Sequence, residues 1–368
     1  MTNTTSEPCS PLTTCVARWN GVRRIVPCLK LLLCEQAPTE QFSHRTAWLT
    51  KPEFNQHHQK GIYPMNRIFS YIISEQEEGL TIGQFLKNKG YSHPMLVHLK
   101  KTERGIVLNG EWSYVYIKLK KGDVLDISLM ETESSENIPL TSITLDEFMK
   151  MVVYEDEDIL ILNKPAGLPV HPSMGHHEDT LANYCAYYFH ELQKVNSGFI
   201  FRCVNRLDRD TSGLVLIAKN MFSSARLSTQ QLNREIHRTY MAIVTGVTPE
   251  SGTINLPIAR KEASVIERCI DMERGENAIT HYTRLDSKND YSLLKIQLET
   301  GRTHQIRVHM KAIGHPLPGD FLYNPEYSHI KRQALHSYRL EFFHPITNEA
   351  LSFTQNPPED FFFLPWNF

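Results

Sequence analysis

Residues 205–219 have the sequence NRLDRDTSGLVLIAK, in which a strongly polar segment leads directly into an apolar run. The apolar part, residues 214–219, has the composition of a buried strand. The Asn, Asp, Thr, Ser and Gly that precede it are typical of a surface turn. The same residues also fit a loop that presents the Asp208 carboxylate at the end of a sheet, between the guanidinium groups of Arg206 and Arg209. Local chemistry alone leaves both interpretations open.

A second dense segment, residues 301–310, has the sequence GRTHQIRVHM. The pattern predicts a helix over residues 303–313 that ends at Gly314 and Pro316. A solvated basic helix is the simplest interpretation. The predicted strand just before it favours a helix packed on the core, with its polar side chains at a site.

From residue 151 onward, predicted strands outnumber predicted helices, and many strands follow one another without a crossover. We therefore predict an α+β fold with a mixed, mainly antiparallel sheet and flanking helices. The predicted strands are residues 151–154, 159–163, 214–219, 238–246, 281–286, 292–299, 335–343 and 350–354, and the predicted helices are residues 180–193, 221–233 and 303–313.

The chain divides into regions of different composition. Residues 1–64 show no steady periodicity and are expected to be a disordered extension, with Met65 as a second candidate start. Residues 65–130 predict a small α/β module: a strand at 67–74, helices at 81–89 and 93–102, a hairpin turn at Asn109-Gly110 and a strand at 124–129. Residues 131–148 are polar and predict a linker, and residues 149–368 form the larger domain.

The bulk composition is that of an ordinary globular protein. Of the 368 residues, 41% are hydrophobic and 22% charged, and the net charge is -2. No apolar run approaches the roughly 18 residues of a membrane helix. The seven cysteines lack the close pairs of a zinc site, so we expect reduced thiols, no bound metal and a cytoplasmic protein.

The small module resembles an S4-type RNA-binding domain. In that family a helix pair presents basic side chains to RNA. The side chains available for this here are Lys87, Lys89, His98, Lys100, Lys101 and Arg104. This basic face is thin, so a working module and a degenerate one both remain open.

The larger domain resembles the RluA family of pseudouridine synthases, with motifs in the family's order from about residue 150 to 360. RLDxxTSG at 206–213 is similar to the family's signature. The other motifs are LNKPAGLPVHP at 162–172, RTYMAIVTG at 238–246, GRTHQIRVHM at 301–310, GHPLPGD at 314–320 with Tyr323, and ALHSYRL at 334–340 with His344 and Pro345.

The resemblance implies an isomerase that turns uridine into pseudouridine without a cofactor. It implies Asp208 as the catalytic carboxylate, Arg307 as the guanidinium that keeps it charged and oriented, and Tyr240 as the ring against the target base. Ile306 would add an apolar wall. Further substrate contacts are expected from Arg206, Arg209, Arg302 and Gln305.

One position departs from the family, which usually has His where this chain has Asn205. Asn forms hydrogen bonds but cannot be protonated. Either this position needs no proton-transfer group, or the pH profile is altered. Whether Asp208 acts as a nucleophile or as a base at the sugar is also left open.

The expected partner is structured RNA: ribosomal RNA first, transfer RNA second, bound by a monomer away from membranes. Clustered basic residues predict RNA affinity that falls as salt rises. Two rival functions are a non-catalytic RNA-binding protein that keeps the fold and a nucleoside-cleaving hydrolase. The hydrolase would need a second acid, for which Asp210 is the candidate.

Overall fold

A computed structural model describes residues 67–129, 138–173, 175–192, 199–364 and 366. The predicted extension 1–64 and Met65 lie outside the described residues, as does most of the polar part of the predicted linker. All described residues belong to one unit of the chain.

The N-terminal module, residues 67–129, is a four-stranded antiparallel sheet with the order β1-β4-β2-β3 and two helices. Its elements are β1 (Arg67–Ile72), α1 (Ile82–Asn88), α2 (His93–Lys101), β2 (Ile106–Leu108), β3 (Glu111–Trp112) and β4 (Val124–Leu129). Thr81 caps α1, and Asn109-Gly110 forms the predicted hairpin turn with positive φ at both residues. That the module is of S4 type stays a prediction.

The large domain is built on a ten-stranded sheet whose main path is β10-β13-β14-β9-β15-β8-β6-β5. Its strands are β5 (Val152–Glu155), β6 (Ile159–Lys164), β7 (Arg202–Cys203), β8 (Ser212–Ala218), β9 (His237–Thr245), β10 (Ser251–Asn255), β13 (Ile279–Lys288), β14 (Tyr291–Leu298), β15 (Leu335–Phe343) and β16 (Ala350–Thr354); β11 (Ile258–Arg260) and β12 (Arg268–Ile270) form a separate hairpin. Its helices are α3 (Leu145–Met151), α4 (Leu181–Tyr187), α5 (Met221–Leu232) and α6 (Gln305–Ala312).

The pairing is antiparallel everywhere in this sheet except between β8 and β15. The predicted α+β class with a mainly antiparallel sheet is therefore confirmed. Strand β8 is buried along its whole length, as its unbroken apolar sequence predicts. Its N-terminal end is where the 205–211 loop enters the sheet.

The start of the large domain lies earlier than the predicted linker boundary. Helix α3 begins at Leu145, where Thr144 accepts a hydrogen bond from the backbone N–H of Glu147. Phe148 is buried completely in the main core. The last residues of the predicted linker thus pack as part of the domain.

The N-terminal module packs on the large domain through an apolar contact and an ion pair. Phe222 of α5 lies in the module's core, with its ring centroid 4.8 Å from that of Tyr91. Arg67 of β1 binds both carboxylate oxygens of the buried Asp158, at 3.1 and 2.8 Å. A bidentate pair of this kind fixes orientation as well as distance.

Candidate active site

The loop that carries Asp208 is held from beneath by a buried lysine. The Lys164 ammonium donates to the carbonyl oxygens of Pro165, Leu168 and Arg209, each at 2.8 Å. Burial lowers the pKa of Lys164 to about 7. Three acceptors need three N–H donors, however, so this geometry favours the charged form. Lys164 therefore fixes the backbone next to Asp208.

A glycine at the end of the same loop allows the close approach of two strands. Gly213 has a φ of +111°, and a Cβ atom there would lie 2.3 Å from the carbonyl oxygen of Ser337 on β15. No side chain fits in that space. The glycine at the end of the predicted turn is thus required by the β8–β15 pairing.

Arg307 connects helix α6 to the loop that carries Asp208. It lies on α6, is 1% exposed, and donates from Nη1 to Asp208 Oδ2 at 2.8 Å. Its Nε and Nη2 atoms bind both oxygens of the buried Asp320, at 2.6 and 2.7 Å. Burial alone would lower the pKa of Arg307, but Asp320 and Asp208 raise it above its ordinary value. The guanidinium is permanently charged and fixed in direction.

His304 also approaches Asp208, with Nε2 3.9 Å from Oδ2. It adopts a left-handed backbone conformation, with φ of 57°, just before α6 begins. Its Nδ1 atom pairs with the hydroxyl of Tyr323 at 3.0 Å. Burial lowers the pKa of His304, so the ring is neutral near pH 7. The sequence placed His304 in a motif but gave no reason to single it out.

A cleft that is partly open to solvent is lined by the predicted catalytic residues. Asp208 is a quarter exposed, whereas Tyr240 on β9 is nearly buried. Burial raises the pKa of the Tyr240 phenol, which stays protonated at neutral pH. Ile306 of α6 adds an apolar wall together with Leu298 and Leu335. The structure thus brings the carboxylate, the aromatic ring and the guanidinium to one cleft.

Two of the predicted substrate-binding arginines, Arg206 and Arg302, lie at the cleft. Arg206 and Arg302 are exposed and line the cleft. Arg302 is paired with Glu276 and donates from Nε to the Asn277 carbonyl at 3.2 Å. Both arginines also line a neighbouring groove, which contains three further arginines, Arg260, Arg268 and Arg274. Five arginines thus line the cleft and this groove, and Arg274 among them is paired with Glu262 and Asp271.

Two predicted substrate-binding residues are engaged by the protein itself. Gln305 is buried, and its amide binds Thr300, the Arg302 backbone, Ile279 and Thr280. This saturates the amide and fixes the start of α6. Arg209 lies outside the cleft lining and binds both oxygens of Asp210 at 2.9 Å.

Asn205, the departure from the family pattern, is buried away from the cleft lining. Its amide nitrogen donates to the Leu214 carbonyl at 3.0 Å, and its oxygen accepts from the Leu216 N–H at 2.8 Å. Both ends of the amide are used to hold the loop against β8. This geometry favours the interpretation in which the position needs no proton-transfer group.

A cluster of Asp156, Asp158 and His344 has ligand atoms within 4.8 Å of one another. Their carboxylate oxygens already accept hydrogen bonds from Arg67, Tyr154, Asn220 and backbone N–H groups, among others. Such contacts make this an ion-pair network at the junction with the N-terminal module. It contributes nothing to the cleft.

Comparison with known proteins identifies the family. The family model described as RNA pseudouridylate synthase matches residues 158–312. An uncharacterised RNA pseudouridine synthase of Bacillus subtilis, YjbO, is 38% identical over 76% of this chain and 96% of its own length. The chain belongs to the RluA family of RNA pseudouridine synthases. Ribosomal large subunit pseudouridine synthase D of Pseudomonas aeruginosa is 39% identical, over 58% of this chain and 70% of its own.

Among solved structures, human RNA pseudouridylate synthase domain containing 1 is 26% identical to this synthase, with a TM-score of 0.46. The alignment covers 62% of this chain and 87% of that one. In the part of this synthase that the structure describes, no helix combines the length and apolar character needed to cross a bilayer.

Proposed function

We propose that this isomerase modifies ribosomal RNA and that Asp208 is the carboxylate that acts on the ribose. The single observation that carries the assignment is the 2.8 Å contact between Asp208 and Arg307 inside a cleft that also contains Tyr240. Conversion of uridine to pseudouridine breaks the C1′–N1 bond, rotates the uracil and rejoins it through C5. No atom is gained and no electron is transferred, so these side chains can perform it without a cofactor.

Breaking a glycosidic bond builds positive charge on the sugar, and a carboxylate stabilises that charge or attacks the carbon. Arg307 and His304 both approach Oδ2 of Asp208. The other oxygen, Oδ1, is therefore the one assigned to the ribose. Nucleophilic attack at C1′ and a base role at the sugar both fit this geometry.

Tyr240 and Ile306 are assigned to the flipped uracil. A uridine leaves its stack to reach an enclosed site, and an aromatic ring offers it a new stacking partner. Because burial keeps the Tyr240 phenol protonated, its O–H is available as a hydrogen-bond donor at neutral pH. Arg307 is assigned the orientation of Asp208.

The RNA backbone is assigned to the arginines that line the cleft and the groove beside it. Arg206 and Arg302 flank the cleft, and the groove beside them adds Arg260, Arg268 and Arg274. Arg209 is assigned a backbone contact at the rim, and Gln305 a positioning role at the start of α6. A protein with a net charge of -2 can thus bind RNA through one basic surface.

The choice of ribosomal RNA rests on relatives named ribosomal large subunit pseudouridine synthase D. Transfer RNA is the second candidate. A cytoplasmic monomer remains the expectation; the free thiols of Cys185, Cys203 and Cys269, among the described cysteines, fit a reducing compartment.

The decisive test maps pseudouridines at single-nucleotide resolution in cells with the wild-type gene, without it, and with Asp208→Asn. Asp208→Asn is expected to abolish the mapped sites while RNA affinity is kept, because it removes the negative charge but little volume. A variant that still forms pseudouridine would refute the assignment of Asp208. Pseudouridines confined to transfer RNA would refute the choice of ribosomal RNA.

Product analysis separates the rival functions. A hydrolase would release free uracil, and a non-catalytic binder would form neither product. Asp210, the hydrolase's candidate second acid, is paired with Arg209.

RNA affinity should fall as salt rises, and Arg268→Ala should reduce the slope of log K against log salt by about 0.7 to 0.9. A slope equal to that of wild type would remove Arg268 from the RNA contact.

A further inference from the structure

The N-terminal module presents three stacked aromatic side chains to solvent, Trp112, Tyr114 and Tyr116, which we term the aromatic ladder. Their exposed fractions are 48%, 54% and 68%. The rings of Trp112 and Tyr114 are 6.2 Å apart with planes at 23°, and those of Tyr114 and Tyr116 are 5.7 Å apart with planes at 6°. Large aromatic rings bury much apolar area when they find a partner. A row of exposed, parallel aromatic rings is therefore a candidate binding surface.

Sequence alternation produces this surface. Ser113 and Val115 lie between the ladder residues and Ile117 follows them; all three are half-buried, and Val115 and Ile117 pack on the module's core. The alternation continues beyond the ladder, where Lys118 and Lys120 are exposed and Leu119 between them is buried. The segment thus presents three rings and then two ammonium groups. One acidic side chain, the exposed Glu111, lies at its other end.

The segment is held rigidly despite its irregular backbone. Backbone N–H groups at the start of α1, those of Ile82 and Gly83, donate to the carbonyls of Ile117 and Val115 at 2.9 and 2.8 Å. Ser113 donates to the carbonyl of Ile106 at 2.9 Å. Ordering the rings on binding therefore costs little entropy.

The module's basic face is a weak alternative site for RNA. Lys89 is paired with Glu77 at 2.9 Å and lies over the rings of Tyr71 and Phe85, and Arg104 donates to the Gly110 carbonyl. Phosphate attraction through the helix pair is correspondingly reduced. Lys87, Lys100 and Lys101 stay exposed on the helix pair, so an aromatic surface would add a second kind of contact to theirs.

We propose that the aromatic ladder is a stacking platform for unpaired bases of the RNA substrate, and that Lys118 and Lys120 contact the adjoining phosphates. Aromatic rings combined with cationic groups are how proteins bind single strands with little sequence preference, since every base has a π face. The proposal rests on RNA being the substrate. It adds a contact to unpaired RNA outside the catalytic cleft.

The test compares full-length variants for binding to a fluorescein-labelled single-stranded oligouridine of about 12 nucleotides and to a duplex RNA of the same length. Tyr114→Ala/Tyr116→Ala should raise the oligouridine Kd by about fivefold or more for each ring removed. Tyr114→Phe/Tyr116→Phe keeps the rings and should bind like wild type. Ile72→Ala is the matched control, because Ile72 is 78% exposed on β1, at the opposite edge of the module's sheet.

Two further readouts isolate stacking from charge. Oligouridine should quench tryptophan fluorescence in wild type, and Trp112→Phe should remove that quenching. Lys118→Ala/Lys120→Ala should lower the salt slope by about 0.7 for each lysine.

Unchanged oligouridine affinity in the double alanine variant, or an equal loss for the duplex or with Ile72→Ala, would overturn the proposal. Loss of binding to a protein partner with RNA affinity intact would also overturn it.

Pseudouridine formation keeps this result distinct from the proposed function. In a substrate that has unpaired flanking nucleotides, loss of the ladder should raise KM and leave kcat unchanged. Wild-type protein that binds oligouridine through the ladder but modifies no ribosomal RNA would refute the proposed function alone. Ladder variants that modify the RNA with unchanged KM would refute the ladder alone.

Discussion

Replacing Asp320 by asparagine tests whether the site depends on a buried charge that never touches the substrate. The Asp320 carboxylate is completely buried and binds Arg307 through two hydrogen bonds of 2.6 and 2.7 Å. It also accepts the backbone N–H groups of Leu322 and Tyr323. Asparagine keeps the shape but loses the charge and one acceptor. Its amide group would direct N–H donors at the guanidinium.

Breaking a buried ion pair by removing one partner costs about 3 to 5 kcal/mol. Asp208 continues to balance the Arg307 charge through Nη1, so the lower end, about 3 kcal/mol, is expected for the free energy of unfolding. The catalytic effect adds to this loss. Arg307 would lose the contacts that fix its direction, and a displacement of about 1 Å in a reacting group costs about 100-fold in rate.

The assay combines chemical denaturation with single-turnover pseudouridine formation on the mapped RNA target. Asp360→Asn is the matched control. Asp360 also binds an arginine, Arg332, through two bonds of 2.7 and 2.8 Å, but its side chain is 52% exposed. Pairs at such an exposed position contribute about 1 kcal/mol or less. If Asp320→Asn were no more harmful than Asp360→Asn in both measurements, the buried charge would not be what holds the site.

Two other substitutions probe the surroundings of the cleft. Lys164→Met removes the donor of three carbonyl groups and should cost at least about 3 kcal/mol by denaturation. It should also slow single-turnover catalysis at unchanged RNA affinity; a stable, fully active variant would contradict the role of Lys164 in holding the loop. Burial lowers the pKa of His336 from 6.5 to about 4, so the unfolded chain binds the extra proton and stability falls as pH drops from 6.5 to 4. The loss is about 3 kcal/mol for this group, and His336→Asn should remove it from the pH dependence of unfolding, whereas parallel profiles for both proteins would refute it.

The strands with strong apolar periodicity were predictable from the sequence. The predicted 335–343 and 350–354 agree with β15 and β16, and 159–163 falls one residue short of β6. The short strands β10, β11 and β12 were missed because they carry no sustained alternation. β10 pairs with β13, later in the chain, whereas β11 and β12 pair with each other. Helix α3 was also missed, although its Thr144-x-x-Glu147 capping box was visible in the sequence.

The candidate site shows the same division between local and long-range information. Motif order brought Asp208, Tyr240 and Arg307 together as a hypothesis, and they do line one cleft. Nothing local indicated that the stronger partner of Arg307 would be Asp320. Nor could a sequence reveal that His304 would turn into a left-handed conformation beside Asp208, since that depends on where Tyr323 lies.

The charges around Asp208 explain why Arg307 is paired with a second carboxylate, that of Asp320. Arg307 alone would neutralise Asp208 and weaken its attraction for the positive charge that develops on the ribose. Asp320 balances Arg307 instead, and His304 is neutral because burial lowers its pKa. Asp208, Arg307 and Asp320 together therefore keep one net negative charge. We place it on Asp208, which is a quarter exposed, whereas the side chains of Arg307 and Asp320 are buried. Negative charge held in place at a shielded site stabilises a cationic transition state more than the same charge does in water.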